Sequence, residues 1–382
     1  MNDFNFRIPQ NIEFGMGALE KLPKILKESN SNHVFLVSDR GLEKIGVVDR
    51  VKNIIEKAQI KCTTYLDVVP NPTITVVTNA TDLYKESGAT SIIALGGGSP
   101  LDVSKAVGVL STFGGEITDY EGLNKVPGPI VPIIAIPTTA GTGSEVTASS
   151  VITDEKRNYK FSIVSYETIP KYALLDPELI MTAPQSIAAA CGIDALIHAI
   201  EAYLSKQSSP FSDAMAEKAM ELIGRNLRNF VKNRGDKEAA CGMMIGSNFA
   251  GISFAWARLG NVHAMSHPVS AFYHVPHGIA NSVLLPTVME YNSIVDNGRY
   301  EKIYNYIKED SGIVNNFKPE MLINELKKLN DDLGIPKSLS ELGVKEDSIE
   351  DMAKDAMKSG NVLANPRETN LQNMIDLYKK AM

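Results

Sequence analysis

The chain has few of the features that mark secreted, membrane or nucleic-acid-binding proteins. Its three cysteines, Cys62, Cys191 and Cys241, are scattered and odd in number. They form neither a disulfide framework nor a CxxC motif, which favours a reducing, cytoplasmic setting. No apolar stretch approaches the roughly 20 residues that span a membrane, so we expect no membrane segment. The start lacks the basic segment and apolar block of a signal peptide.

A basic surface is missing as well. The net charge is −7, and no run of lysine or arginine occurs, which argues against a nucleic-acid partner. The 44% apolar and 22% charged residues are typical of a globular protein. With 382 residues the chain is long enough for two domains with sizeable cores.

Short apolar runs alternate with helical segments as far as about residue 181. Such alternation predicts an α/β domain with a mostly parallel, Rossmann-like sheet covered on both faces. The opening residues 4–17 are predicted to form a hairpin or edge strand. The other predicted strands are residues 33–39, 65–69, 91–95, 130–136 and 172–176.

From residue 182 the pattern is helical almost throughout. Thr182 to Gln185 resembles a capping box with an early proline, the start of a long helix. We therefore predict two domains, a dinucleotide-binding α/β domain at 1–181 and an all-helical, metal-binding and catalytic domain at 182–382. We expect a ligand-binding cleft between them.

Four of the six histidines fall within 15 residues, at positions 263, 267, 274 and 277. His263 and His267 are four apart, so on a helix they share one face. Pro268 is expected to end or bend that helix. The turn around Pro276 could then fold His277 back towards His263. Crowded imidazoles would repel one another once protonated, and a metal ion would hold them neutral.

A second pair lies upstream in an alanine-rich, apolar helix. Asp194 and His198 are also four apart and share a face that should be buried. Taken alone, this pair could equally be a hydrogen-bonded Asp–His pair in a helical core. Together with His263 and His277 it predicts a metal site of one carboxylate and three imidazoles. A nitrogen-rich site suits Fe²⁺ or Zn²⁺ better than Mg²⁺ or Ca²⁺.

Two loops have the composition of a dinucleotide site. Gly97, Gly98 and Ser99 connect a strand to a helix, where backbone N–H groups and the positive helix end can approach a pyrophosphate. Asp102 can anchor a neighbouring amide. The second loop is rich in small hydroxyl donors, Thr138, Thr139 and Thr142 among them. Either loop could instead be a simple connection.

Asp39 follows an apolar strand and is placed to accept hydrogen bonds from an adenosine ribose, or else to cap a helix. A carboxylate there favours NAD over NADP, because it would repel a 2′-phosphate. The usual fingerprint places the acidic residue after the glycine loop, whereas Asp39 precedes it. We therefore expect the dinucleotide-binding residues to follow one another along the chain in a different order from that of the common Rossmann fold.

Three motifs carry a resemblance that covers essentially the whole chain. They are Gly-Gly-Gly-Ser-Pro with Asp102 and Lys105, then Pro-Thr-Thr-Ala-Gly-Thr-Gly-Ser-Glu, then Gly-Ile-Asp-Ala-Leu-Ile-His-Ala-Ile-Glu-Ala-Tyr with the histidine segment. With these motifs the chain resembles the iron-dependent (group III) alcohol dehydrogenase family. The resemblance implies the dehydroquinate-synthase-like fold.

The same resemblance implies roles for individual residues. Asp194, His198, His263 and His277 match metal ligands, and His267 matches a histidine beside the nicotinamide. His274 departs from relatives, which often have Asn or Asp there. The positions that match the dinucleotide site are Asp39, Asn71, Gly98, Ser99, Thr138, Thr139, Thr147, Lys160 and Leu179.

The predicted reaction is metal-dependent hydride transfer between NAD(H) and a short-chain primary alcohol, diol or aldehyde. His267 is the predicted proton relay, unless it only orients its neighbours. We expect a homodimer or higher homo-oligomer. A dehydroquinate-synthase-type lyase that uses NAD transiently is the alternative, and a metal-dependent hydrolase would have no use for the dinucleotide loops.

Overall fold

The computed structural model describes residues 8, 11–157, 159–310, 312 and 315–382. These residues form two compact units that divide between Ala183 and Pro184. We call them the α/β unit and the helical unit. The sequence placed the boundary at residue 181. The predicted segment 4–17 is described at residue 8 and from Asn11 onwards, and its other residues lie outside the described chain.

Six parallel strands form the main sheet of the α/β unit, as predicted. The strands of this unit are β1 Asn11–Phe14, β2 His33–Val37, β3 Lys61–Tyr65, β4 Ser91–Gly96, β5 Gly122–Leu123, β6 Ile133–Pro137, β7 Ser149–Asp154, β8 Tyr159–Val164 and β9 Tyr172–Leu175. The main sheet has the order β1-β9-β6-β4-β2-β3. A second, smaller sheet has the order β5-β8-β7.

Helices cover both faces of the main sheet. Successive strand side chains point to opposite faces. Phe35 and Ile92 accordingly join one buried core with α4 and α5, while Leu36 and Ile93 join another with α1 and α3. A sheet buried on both faces explains the uninterrupted apolar runs in the sequence. The helices are α1 Leu22–Glu28, α2 Arg40–Lys44, α3 Val47–Lys57, α4 Ile74–Ser87, α5 Gly98–Phe113 and α6 Pro177–Ile180.

Two strand predictions differ from the structure. The predicted strand 65–69 is wrong, because β3 ends at Tyr65. This strand lies at the sheet edge, where polar residues such as Thr63 and Thr64 are only half-buried and therefore cost little. The antiparallel pair β7 and β8 was missed, since its short strands alternate buried and accessible residues and have no continuous apolar run.

All regular elements that the structure describes after Ala183 are helices, which confirms the all-helical prediction. Ten α-helices occur among the described residues of this unit. They are α7 Gln185–Leu204, α8 Pro210–Lys232, α9 Lys237–Ala257, α10 Asn261–Tyr273, α11 His277–Asn292, α12 Arg299–Ile307, α13 Pro319–Asp332, α14 Ile349–Ala356, α15 Asn361–Ala364 and α16 Leu371–Ala381.

Helix α7 is the central element of the helical unit. It is long and apolar enough to cross a membrane, so the expectation that no stretch approaches that length is wrong. In the fold, however, 78% of its apolar window is buried inside the protein, and every residue from Gly192 to Tyr203 is buried. A helix that is buried on all sides needs apolar residues all round, as a membrane helix does.

Two predicted helix signals behave differently in the structure. Thr182 donates its hydroxyl to the carbonyl of Leu179, and α7 begins without a side-chain cap, so the capping box is absent. Pro268 does not end α10, which continues to Tyr273. Proline removes one helical hydrogen bond at a cost of about 3 kcal/mol, and the buried residues on both sides, such as Met265 and Val269, offset that cost.

Candidate metal centre and dinucleotide loops

One face of α7 carries three titratable side chains. Asp194, His198 and Glu201 are four and three residues apart, the spacing that stacks side chains on one side of a helix. All three are buried, with exposures of 4%, 5% and 6%. Carboxylates and imidazoles are costly to bury without partners. The face therefore must be satisfied by groups from neighbouring elements.

Helices α10 and α11 supply those groups. His263 lies in the first turn of α10, and His277 is the first residue of α11. One ligand atom each from Asp194, His263 and His277 all lie within 4.8 Å of one another. The structure thus brings together three of the four predicted metal ligands, from three different helices.

An amide nitrogen shows that lone pairs converge at this point. Asn281 Nδ2 lies 2.6 Å from Asp194 Oδ1, 3.1 Å from His263 Nε2 and 3.1 Å from His277 Nε2. An NH₂ group has two hydrogens and cannot satisfy three acceptors. The Oδ1 atom of the same amide is buried without a hydrogen-bond partner. A cation at this point would satisfy all three acceptors, which one amide NH₂ group cannot do.

His198 lies at the edge of this group. Its Nε2 is 4.0 Å from Asp194 Oδ2, too far for a hydrogen bond, so the simple Asp–His pair weighed from the sequence does not form. Its Nδ1 is buried without a partner. The ring stacks on Phe254 and His263 with centroids 4.4 and 4.7 Å apart. A divalent metal fits this donor set, which is three imidazoles and one carboxylate.

His263 is held neutral and oriented. Burial, together with the neighbouring imidazoles of His198 and His277, holds its pKa well below the usual value. Its Nδ1 lies 2.6 Å from Glu201 Oε2. Burial raises the pKa of the Glu201 carboxyl to about 7. Sequence analysis missed Glu201, although its place three residues after His198 was a signal.

The remaining two histidines of the segment lie outside the converging group. His267 is exposed, and its ring stacks on His277 with centroids 5.3 Å apart. His274 is exposed and ends α10 with a positive φ of 55°. Asparagine, aspartate and histidine adopt that backbone conformation more readily than most residues, so His274 suits the end of this helix.

The predicted dinucleotide residues gather at one edge of the main sheet. Strands β2, β4 and β6 are neighbours and parallel, so their carboxyl ends meet at the same edge, where ligands of such sheets bind. Asp39, Gly97 and Thr138 follow these three strands. Asp39 also caps α2 by accepting a hydrogen bond from the N–H of Leu42 at 3.0 Å, so its capping role is real.

The two loops touch closely. A Cβ atom on Gly97 would lie 3.3 Å from Thr139 Oγ1, and one on Gly98 would lie 3.1 Å from Thr142 Cγ2. Larger residues would push the loops apart. Ser99 lies in the first turn of α5, a 16-residue helix whose positive end faces this loop. The loop geometry therefore suits an anionic ligand.

Asp102 anchors the second loop through its carboxylate, as the sequence suggested. Its Oδ1 accepts the hydroxyl hydrogen of Ser144 at 2.8 Å, and its Oδ2 accepts the N–H of Val151 at 3.2 Å. Burial raises the pKa of the Asp102 carboxyl, and Lys105, one turn further on, acts against this. Both oxygens are thus used to hold protein groups.

Lys105 is a structural centre that the sequence analysis did not assign. It is fully buried. Its Nζ donates to Ser144 Oγ at 3.0 Å, to Thr147 at 2.9 and 3.2 Å, and to the carbonyl of Ser149 at 2.8 Å. Burial lowers its pKa to about 8. One ammonium group therefore sets the path of residues 144–149, and Thr147 points its hydroxyl at it.

The other predicted cofactor residues have mixed surroundings. Lys160 donates to Asn71 Oδ1 at 2.8 Å, which joins β8 to the turn after β3. Asn71 adopts a positive φ of 55°, as asparagine does more readily than most residues. Leu179 is 1% exposed and packs in the core with α1 and α3. Its role towards a dinucleotide stays a prediction.

Comparisons with known proteins agree with this geometry. The model of the family described as "Iron-containing alcohol dehydrogenase" matches residues 9–177, and that of "Fe-containing alcohol dehydrogenase family, C-terminal" matches residues 188–382. The chain is 37% identical to 1,3-propanediol dehydrogenase of Citrobacter freundii over 381 residues, 99% of this chain and 98% of that protein. It is 39% identical to lactaldehyde reductase of Escherichia coli (strain K12) over 371 residues, 96% and 97% of the two chains.

Solved structures show the same fold. A crystal structure of 1,3-propanediol oxidoreductase is similar with a TM-score of 0.96 and 37% identity over 100% of both chains. Sulfoacetaldehyde reductase from Bifidobacterium kashiwanohense in complex with NAD⁺ has a TM-score of 0.89 and 28% identity over 100% of this chain and 99% of that one.

The chain therefore belongs to the iron-containing alcohol dehydrogenase family. It is an oxidoreductase that interconverts alcohols and aldehydes with NAD(H), as the sequence predicted. The matches do not favour the dehydroquinate-synthase-type alternative.

Proposed function

We propose that the enzyme transfers a hydride reversibly between NAD(H) and a short-chain primary alcohol, diol or aldehyde. The observation that carries this proposal is the convergence of Asp194, His263 and His277, whose ligand atoms lie within 4.8 Å of one another. Three-carbon substrates are favoured because the relatives named above are named for 1,3-propanediol and lactaldehyde.

The metal would be held by Asp194, His198, His263 and His277, with Fe²⁺ proposed and Zn²⁺ as the alternative. When bound, such an ion supplies Lewis acidity towards the substrate oxygen. The chain contributes the orientation. His263 Nε2 and His277 Nε2 both lie 3.1 Å from Asn281 Nδ2, which also contacts Asp194 Oδ1, while His263 Nδ1 is engaged by Glu201. The burial of the site excludes water from three of its four side chains.

NAD is proposed in preference to NADP because of Asp39, which follows β2 at the ligand-binding edge of the sheet. The glycine loop at 97–99 and the hydroxyl loop that Lys105 and Asp102 hold in place would take the pyrophosphate and nicotinamide portions. The nicotinamide supplies the hydride chemistry. Backbone N–H groups and the α5 N-terminus would stabilise the phosphate charge.

His267 is the proposed proton relay. Its imidazole is exposed and stacked on His277, so it can exchange protons with solvent beside the metal ligands without joining the group of ligand atoms. Imidazole is the side chain most often used to carry protons in enzymes. We also propose a cytoplasmic location, from the cysteine pattern, and a homodimer or higher homo-oligomer.

The test uses protein stripped of metal and reloaded with Fe²⁺ or Zn²⁺. A panel of short alcohols, diols and aldehydes is assayed with NAD(H) and NADP(H) by absorbance of the reduced nicotinamide. We expect metal-dependent turnover with one NADH formed or consumed per substrate. Turnover of a substrate without net change in NADH would support the lyase instead.

A further inference from the structure

Glu201 uses both oxygens of one buried carboxylate to join two helices. Its Oε1 accepts the N–H of Val262 at 2.7 Å, and its Oε2 lies 2.6 Å from His263 Nδ1. Both donors belong to the first turn of α10, whereas Glu201 lies on α7. We infer that Glu201 is a positioning residue for the metal centre, which fixes the tautomer and ring plane of His263 so that Nε2 presents a lone pair to the metal.

The hydrogen count on the His263 ring assigns its tautomer. A neutral imidazole has one N–H and one lone pair. An ionised carboxylate accepts only, so with Glu201 ionised the hydrogen sits on Nδ1, which leaves the lone pair on His263 Nε2. A metal binds that lone pair, and a carboxylate behind a ligand histidine also makes the ring a better donor.

An independent contact on the other side of the ring agrees. Asn281 Nδ2 lies 3.1 Å from His263 Nε2. An amide NH₂ is a donor, so a lone pair on Nε2 suits that contact, whereas an N–H on Nε2 would oppose it. The same ring nitrogen lies 3.7 Å from Asp194 Oδ1, so a lone pair on Nε2 and the carboxylate oxygen are close enough to bind one metal ion.

The position of Glu201 is itself fixed by close packing. A Cβ atom on Gly260 would lie only 2.9 Å from Glu201 Oε1, so the absence of a side chain there lets the carboxylate reach the start of α10. The Val262 N–H and His263 Nδ1 thus contact different oxygens of the carboxylate. Glutamine has one carbonyl oxygen, so its NH₂ group would face one of these two nitrogens.

The inference rests on the proposed metal site, and the test separates the two. Metal-free protein is titrated with Co²⁺ alone, and binding is followed by competition with a chelator and by the visible absorption of the bound ion. For Glu201→Gln we expect about 10- to 100-fold weaker Co²⁺ binding and an altered absorption band, with the helical circular dichroism retained.

Two control variants make the result specific. Glu217→Gln changes a carboxylate that accepts the hydroxyl of Tyr203 on the same α7 helix at 2.7 Å. Asn365→Ala removes the side chain that accepts the N–H of Asn261 at 3.3 Å, so it loosens the start of α10 without touching His263. Both should keep the wild-type affinity for Co²⁺ even where they lower the melting temperature.

A second measurement does not depend on whether the Glu201→Gln variant folds. In wild-type protein loaded with Zn²⁺ and labelled with ¹⁵N-histidine, the His263 ring should carry its hydrogen on Nδ1, protected from exchange. His263→Gln assigns the signal.

Each outcome is decisive. Wild-type affinity in Glu201→Gln, equal loss in Asn365→Ala, or a hydrogen on His263 Nε2 in the wild type would overturn the positioning role while the metal site stands. Failure of the wild type to bind Co²⁺ would overturn both the inference and the proposed function.

Discussion

The choice between NAD and NADP rests on one carboxylate, and its removal should relax that choice. Asp39 follows β2 at the edge of the sheet where the loops meet. A carboxylate about 5 Å from a 2′-phosphate would repel it by roughly 1–3 kcal/mol, depending on whether the effective dielectric constant is close to that of water or about 20. We therefore expect Asp39→Gly to raise kcat/KM for NADPH by about 5- to 150-fold.

Arg40 decides how much of this gain is realised. In the structure its guanidinium pairs with Asp67 and Glu43, both at 2.9 Å. Its side chain is 63% exposed, and exposed ion pairs contribute about 0–1 kcal/mol. Arg40 can therefore exchange these partners for a phosphate once Asp39 is gone, which would bring the gain towards the upper end of the range.

A matched variant isolates charge from helix capping. Asp39 also caps α2 through the N–H of Leu42. Asp39→Asn keeps a capping side chain and removes the charge, whereas Asp39→Gly removes both at a cost of a few tenths of a kcal/mol in stability. Both variants should gain NADPH activity. Steady-state kinetics with both cofactors checks this, and the reasoning fails if the wild type prefers NADPH or if Asp39→Asn leaves the cofactor ratio unchanged.

Four further outcomes are expected. His263→Ala or His277→Ala should lose bound metal and activity together while the circular dichroism spectrum stays helical, and full metal occupancy by elemental analysis would contradict the ligand assignment. His267→Ala should retain the metal but slow turnover and alter its pH profile, because the relay is lost; an unchanged profile would reduce it to a packing residue. Lys105→Met should weaken NAD binding but not metal binding, and destabilise the fold by about 3 kcal/mol or more by leaving buried acceptors unpaired; a calorimetric titration and a melting curve test this. Adding NAD should slow hydrogen exchange in residues 137–147, and equal exchange would contradict their contact with the dinucleotide.

The sequence predicted strands and helix faces correctly where their residues follow a regular pattern along the chain. The apolar runs predicted β2, β4, β6 and β9 because strands buried on both faces have no alternation to obscure them. Strands β3, β7 and β8, whose residues have mixed exposure, were misplaced or missed. Helix spacing likewise placed Asp194 and His198 on one face of α7, since a four-residue step is nearly one helical turn.

The residue periodicity within one helix does not predict which helices pack against one another. The convergence of α7, α10 and α11 at Asn281 depends on packing between segments more than 60 residues apart, and so does the choice of Glu201 as the partner of His263. Strand order is decided in the same way, and it alone places Asp39 beside Gly97 and Thr138. By itself, then, the sequence determined residue chemistry and spacing within single elements, because both repeat along the chain. Only the tertiary structure decided which side-chain lone pairs converge on one site, because that depends on how the buried faces of distant elements pack together.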